Sequence, residues 1–230
     1  MLILGLSAAI YAQTIKAGVS PGDSFTYSFK VFWSSTDPED SPPSSLVELN
    51  KTEAIKIAVH DVVGSFVILN VTRQYRNGTE TKPSQIFVNL LTGLGDGFGL
   101  IIPPNLGPKS LVYPLGLNYS NSFLISEELV KTYPFGERTV LHSSINRTDD
   151  PAYIIARQNL YHDKETGVLL EWITEYIPKE NPQQKISLVW EISEFDVKPQ
   201  EQPSSGGAGS SSGEAGALKT FYMILLAVAV

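Results

Sequence analysis

The stretch Phe25-Thr26-Tyr27-Ser28-Phe29-Lys30-Val31-Phe32-Trp33 decides the fold. Phe25, Tyr27, Phe29, Val31 and Trp33 all fall on odd positions, with Thr26, Ser28 and Lys30 between them. Side chains alternate across a β-strand with a period of two, so this is one strand with an aromatic face. Pro21-Gly22-Asp23 immediately before it has turn chemistry. Working outward, the same period returns. Ile55, Ile57 and Val59 alternate with Lys56 and His60, and Val67, Leu69 and Val71 leave Asn70 on the opposite side.

Turn signals punctuate these runs. Arg76-Asn77-Gly78-Thr79 carries the Asn-Gly pair favoured in tight hairpins, and strand character resumes over residues 81–90. Pro134-Phe135-Gly136 turns residues 129–133 back into 137–145, and Asp163-Lys164-Glu165-Thr166-Gly167 separates 152–161 from 168–177. Val168, Leu170, Trp172 and Tyr176 share one face, as do Ile186, Leu188, Trp190 and Ile192 of the last strand, 185–197. No window keeps helical i, i+3, i+4, i+7 spacing with caps, although residues 126–130 suit a single turn. The expected fold is therefore all-β: a long antiparallel meander of about 8–11 strands, curled into a half-barrel or sandwich because a flat sheet that wide is unusual. Residues 106–113 faintly echo 19–27, each reading as a turn that enters a strand at an aromatic.

The chain has 230 residues, 17 basic and 24 acidic, for a net charge of −7. It has no cysteine and three histidines, which excludes disulfides, thiol nucleophiles and Cys-ligated zinc. The acidic balance excludes nucleic acid as a partner, because a phosphate backbone selects clustered Lys and Arg. At 42% hydrophobic and 10% aromatic the chain is rich enough to build a core.

The two ends read differently from the body. Residues 1–12, MLILGLSAAIYA, are uncharged and apolar and close on small residues, like the remnant of a secretory signal without its basic n-region. Residues 13–198 form the β domain. Residues 199–216, PQEQPSSGGAGSSSGEAG, are a flexible Gly/Ser/Pro-rich linker. Residues 217–230 end in the apolar run FYMILLAVAV, half the length that spans a bilayer, and read as the start of a truncated transmembrane anchor. Signal, domain, stalk and anchor together describe a protein on the outer face of the cell membrane. Five N-x-[ST] sequons, at Asn50, Asn70, Asn77, Asn118 and Asn146, mark candidate glycosylation sites and agree with that location.

Catalytic patterns fail on geometry. Gly209-Ser210-Ser211-Ser212-Gly213 matches a nucleophile elbow in letters but lies in the linker. The glycines of residues 93–99 lack the spacing and the helix of a phosphate loop, so this reads as a mobile β-connection. In His60-Asp61 and His162-Asp163 strand neighbours point to opposite faces unless a turn intervenes, His162 sits at a turn, and His142 is alone on a strand; all three histidines read as solvated or edge residues. Asp37, Glu39 and Asp40 form an acidic loop without an EF-hand pattern. Glu171 and Glu175 are ~13 Å apart along one strand, too far for a glycosidase pair. No metal, no cofactor and no catalytic residue is expected.

Gly22-Asp23-Ser24-Phe25-Thr26-Tyr27, the Asn-Gly-Thr hairpin at Asn77, Asp163-Lys164-Glu165-Thr166-Gly167-Val168-Leu169 and the Ser/Gly stalk with its anchor together resemble archaeal secreted, C-terminally membrane-anchored surface proteins. That family carries no assigned activity to transfer. The curled antiparallel sheet also resembles the half-barrels of lipoprotein carriers, from which this chain departs in lacking a lipobox cysteine and plugging helices.

The functional expectation is a non-catalytic, membrane-tethered envelope domain that binds an apolar or lipid-like ligand on a concave aromatic face. Phe29, Trp33, Trp172, Tyr176 and Trp190 are its candidate ligand-binding residues. The alternative is a structural or adhesive module that contacts other envelope proteins or glycans, its aromatics forming an ordinary core.

Overall fold

The computed structural model describes residues 15–119, 121–147 and 150–197, leaving out the side chains of residues 118 and 119. The signal-like residues 1–12, the linker 199–216 and the apolar 217–230 lie outside the described residues. The elements are β1 (Ser24–Ser35), α1 (Ser44–Leu49), β2 (Thr52–Val63), β3 (Phe66–Tyr75), β4 (Ser84–Asn89), β5 (Leu111–Val112), β6 (Phe123–Leu124), β7 (Glu127–Tyr133), β8 (Gly136–Arg147), β9 (Tyr153–Asp163), β10 (Leu169–Pro178) and β11 (Gln184–Asp196).

Nine strands form one open antiparallel sheet in the order β4-β3-β2-β1-β11-β10-β9-β8-β7. The expected single meander is two. β1 to β4 wind outward in one direction and β7 to β11 wind back, and the first and last long strands pair along their whole length, from Ser24 opposite Asp196 to Ser35 opposite Gln184. The chain changes edges through residues 90–126. Their apolar side chains follow neither period, which is why the sequence pattern could not foresee a crossover there.

Register sets the inner face. Phe29 faces Trp190, which faces Trp172, which faces Leu160, which faces Ser143. Four residues along, Trp33, Ile186, Tyr176 and Ala156 form a parallel row. Phe25, Tyr27 and Phe29 are essentially inaccessible, as the period of two requires. Burying each such ring contributes on the order of 1.5–3 kcal/mol. Glu171, Ile173, Glu175 and Ile177 lie on the half-exposed outer side of β10.

The inner face is covered by the chain itself. Leu100, Ile101, Ile102, Val112, Tyr113, Phe123 and Ile125 of the crossover are all buried in the same core. Residues 93–99, expected to be a mobile connection, are packed instead. Gly97 N donates to the Phe87 carbonyl at 2.9 Å, and the Phe98 ring lies 5.5 Å from that of Tyr113. Glycine permits this approach: a Cβ on Gly95 would sit 2.1 Å from the Phe87 carbonyl oxygen. The helix α1 was not expected either. Its six residues are too few to show a period and carry no side-chain cap, yet they bury Leu46 and Leu49. Residues 126–130 do not form a helical turn, because Glu127 already pairs with His142 in the sheet. The echo between 19–27 and 106–113 has no structural counterpart: the first segment enters a 12-residue strand, the second a two-residue one.

Candidate functional site

At the end of the sheet where β10 and β11 meet, α1 and two turns enclose a half-open cleft of about 430 Å³. Pro43, Ser45 and Leu46 form one wall, and Pro151, Ala152 and Tyr153 the other. Pro178, Lys179, Glu180, Asn181, Gln184 and Ile186 close the remaining side. The deep lining is apolar and the rim polar.

The cleft continues the aromatic face. Ile186 is the register partner of both Trp33 and Tyr176. The Tyr153 ring lies 4.8 Å from that of Tyr176. Burial and the neighbouring Tyr176 phenol push the Tyr153 phenol up to about 12, so its hydroxyl keeps its proton at neutral pH. The Trp33 indole N–H is buried and has no hydrogen-bond partner.

The five aromatics singled out from the sequence therefore separate into two groups. Trp33 and Tyr176 flank Ile186 of the cleft lining on the neighbouring strands. Phe29, Trp172 and Trp190 lie deeper and pack on one another, with Phe29 and Trp172 centroids 5.5 and 6.1 Å from Trp190. Trp172 Nε1 and Ser143 Oγ, on the same inner row, are buried without hydrogen-bond partners. Tyr153 itself was missed in the sequence: it is out of phase with Ala156, Gln158, Leu160 and His162, and it is buried across a register irregularity opposite Pro178 that the alternation does not show.

One carboxylate holds the cleft wall in place. Asp40 Oδ2 accepts hydrogen bonds from Ser35 Oγ at 2.6 Å, Asn181 Nδ2 at 3.0 Å and Gln184 Nε2 at 3.3 Å. The loop before α1 is thereby tied to the β10–β11 turn. The Ser35 hydroxyl, chiefly, holds the Asp40 carboxyl below its usual range. On the far side of α1 a second cleft of about 410 Å³ is lined by Val47, Asn50, Lys51, Tyr75, Arg76 and Asn77, which brings two sequon asparagines together. Asn50, Asn77 and Asn146 are exposed and Asn70 is half-buried, while the Asn118 side chain lies outside the described residues.

The histidines depart from expectation. Only His60 is exposed. His162 is completely buried, because it shares the inner face with Leu160, and its Nε2 lies 2.8 Å from the Gly99 carbonyl oxygen. His142 is held between Glu127 and Asn159 and stacks on Tyr161 at 4.6 Å. Among the described residues, no cluster of three or more His, Asp or Glu is placed to hold a metal ion. Glu171 pairs with Lys131, and Glu175 with Lys185 and Arg157, on the outer face. Among the described residues, no helix is long and apolar enough to cross a membrane.

No protein-family model matches the chain, and no curated protein matches it. A solved structure of a candidate lipoprotein from Parabacteroides distasonis aligns with 78% of this chain and 100% of its own, at 12% identity and a TM-score of 0.39. At that score nothing is carried over from it.

Proposed function

We propose that this is a non-catalytic binding domain of the cell envelope, tethered to the outer face of the membrane by residues 217–230, and that it takes a small apolar or lipid-like molecule in the cleft beside α1. The observation that carries the reading is the continuity of the cleft with the aromatic face: Ile186 and Tyr153 line it, and Trp33 and Tyr176 adjoin them on that face. A volume of about 430 Å³ lies in the range of small-molecule sites and is too small for a whole two-chain lipid. An apolar floor with a polar rim suits a ligand with an apolar body and one polar end. The crossover supports this placement, because its Leu100, Ile101, Ile102, Val112 and Tyr113 already bury apolar surface of the same core away from the cleft lining.

The test is native mass spectrometry of the purified chain after incubation with a total lipid extract and repurification. The expected result is a discrete added mass that disappears in Ala152→Trp, which fills the cleft. A bare mass in the unaltered protein would assign the aromatics wholly to the core. The domain would then be a structural or adhesive module that contacts other envelope proteins or glycans.

A further inference from the structure

We infer that the crossover rests on a lipid surface, with Leu115, Leu117 and Leu124 entering the interface between water and hydrocarbon. Residues 90–125 contain two charged residues, Asp96 and Lys109, in a chain that is 18% charged. Asp96 is buried, so Lys109 is the single exposed charge that the segment presents. Leu117 is 66% exposed, and Leu115 and Leu124 are each 56% exposed.

The leucines do not stand alone. Val63, Phe66 and Leu94 are also exposed, and backbone hydrogen bonds link the segments that carry most of these positions. Leu90 N donates to Ser65 O in the β2–β3 turn, Asn89 N to Leu94 O, and Leu115 N to Leu91 O. Six of the ten large apolar side chains exposed among the described residues thus lie in the crossover or beside the β2–β3 turn bonded to it. Large apolar side chains exposed on adjoining segments in this number mark an interaction site.

Both chain ends leave from the same end. Ser24 pairs with Asp196, so the strands that lead to the two termini begin and stop side by side. Gly18 packs on Thr166 of the β9–β10 turn, the turn that also holds the crossover through Ile102 N and the Gly167 carbonyl. Beyond residue 198 the sequence passes through 18 residues of linker into the apolar run. A flexible coil of that length spans roughly 20–25 Å. If the apolar run is in a bilayer, the end of the domain that carries the crossover is held within that distance of the lipid. At such an effective concentration even a weak surface contact is populated. The chemistry fits: exposed leucines in a Gly/Pro-rich loop, one cation and no exposed acid. This inference rests on the tethered-domain reading above.

The chain has no cysteine, so a single introduced thiol can be labelled cleanly. Full-length Leu117→Cys carrying an environment-sensitive fluorophore is reconstituted in phosphatidylcholine vesicles containing nitroxide-labelled lipid. Glu180→Cys, at the opposite end of the sheet, is the comparison. The expected result is several-fold stronger quenching at position 117 than at 180. The quenching is expected to disappear from a Lys109→Cys probe when Leu115, Leu117 and Leu124 become Ser, substitutions at exposed positions that leave the core intact. Equal quenching at positions 117 and 180 in a chain that floats with the vesicles overturns the docking and leaves the tether standing. The surface would then belong to a protein partner. A chain that does not float overturns both the tether and the docking.

Discussion

His162 Nε2 lies 2.8 Å from the backbone carbonyl oxygen of Gly99, and the contact joins β9 to the crossover that covers it. A carbonyl can only accept, so Nε2 carries the hydrogen, and Nδ1 is buried without a partner. Burial drives the imidazole down from 6.5 to about 4, so it is neutral in the folded protein over most of the pH range. The unfolded chain takes up its proton near 6.5 while the folded chain does not. Stability from this residue is therefore full above about 6.5 and is lost as pH falls toward about 4, by about 3 kcal/mol in total. Denaturant titrations at a series of pH values should show this loss. His162→Gln keeps a donor for Gly99 and should flatten the curve across that window.

Asp163, one residue on, has the opposite character. It is a buried carboxylate that receives Arg138 Nε at 2.7 Å and Nη2 at 3.0 Å, as well as the backbone N–H and hydroxyl of Thr166. The bidentate pair ties β8 to the β9–β10 turn. Arg138→Met leaves that charge buried beside an apolar side chain and should cost about 3–5 kcal/mol in chemical denaturation. The double variant Arg138→Met/Asp163→Asn should recover part of the loss, since no lone charge remains.

These two neighbours show where the sequence was readable. The strands were, because Phe25 to Trp33 and Trp172 to Tyr176 declare a period of two that packing then obeys. The cover was not. Leu100-Ile101-Ile102 and Val112-Tyr113 bury their side chains through loop geometry fixed by glycines and by hydrogen bonds to distant strands. His162 was misplaced because it was read from its turn rather than from its parity with Leu160. The aromatic residues of the candidate site were legible as a face, but the cleft was not. Its walls come from three connections whose convergence depends on tertiary pairing, and the helix that forms one wall is too short to leave a signal.

Gly167 fixes how the cover meets the sheet. Its φ is +74°, and its carbonyl accepts from Ile102 N at 2.9 Å. A Cβ there would lie 2.0 Å from the Ile102 carbonyl oxygen. Gly167→Ala meets both a left-handed backbone and a backbone clash, and should destabilise by roughly 2–4 kcal/mol. Hydrogen exchange should localise the damage to residues 99–105, with the β1–β11 pairing protected. Uniform loss of protection would instead mean that crossover and sheet unfold as one unit.

Asp40 offers a way to loosen the candidate site without touching its lining. Three donors from two segments, Ser35 on one side and Asn181 and Gln184 on the other, converge on a single oxygen, Oδ2. Remove the carboxylate and nothing else among the described contacts ties residues 36–43 to the β10–β11 turn except the backbone bond from Thr36 N to Gln183 O. Asp40→Ala should therefore raise hydrogen exchange in residues 36–49 while the amides of β10 and β11 keep their protection. Because the folded state holds this carboxyl below its usual range, the tie is present above the ordinary carboxylate pKa of about 3.9 and is lost as pH falls through the lower, folded value. The unaltered protein should accordingly reproduce the Asp40→Ala exchange pattern only in strong acid. If a ligand is retained in the cleft, it should dissociate faster from Asp40→Ala than from the parent at neutral pH, with a similar on-rate, because the wall opens more often while the apolar floor is unchanged. An unchanged off-rate together with raised exchange would show that the α1 side does not gate the cleft, and that exit runs past Pro151 and Ala152 instead.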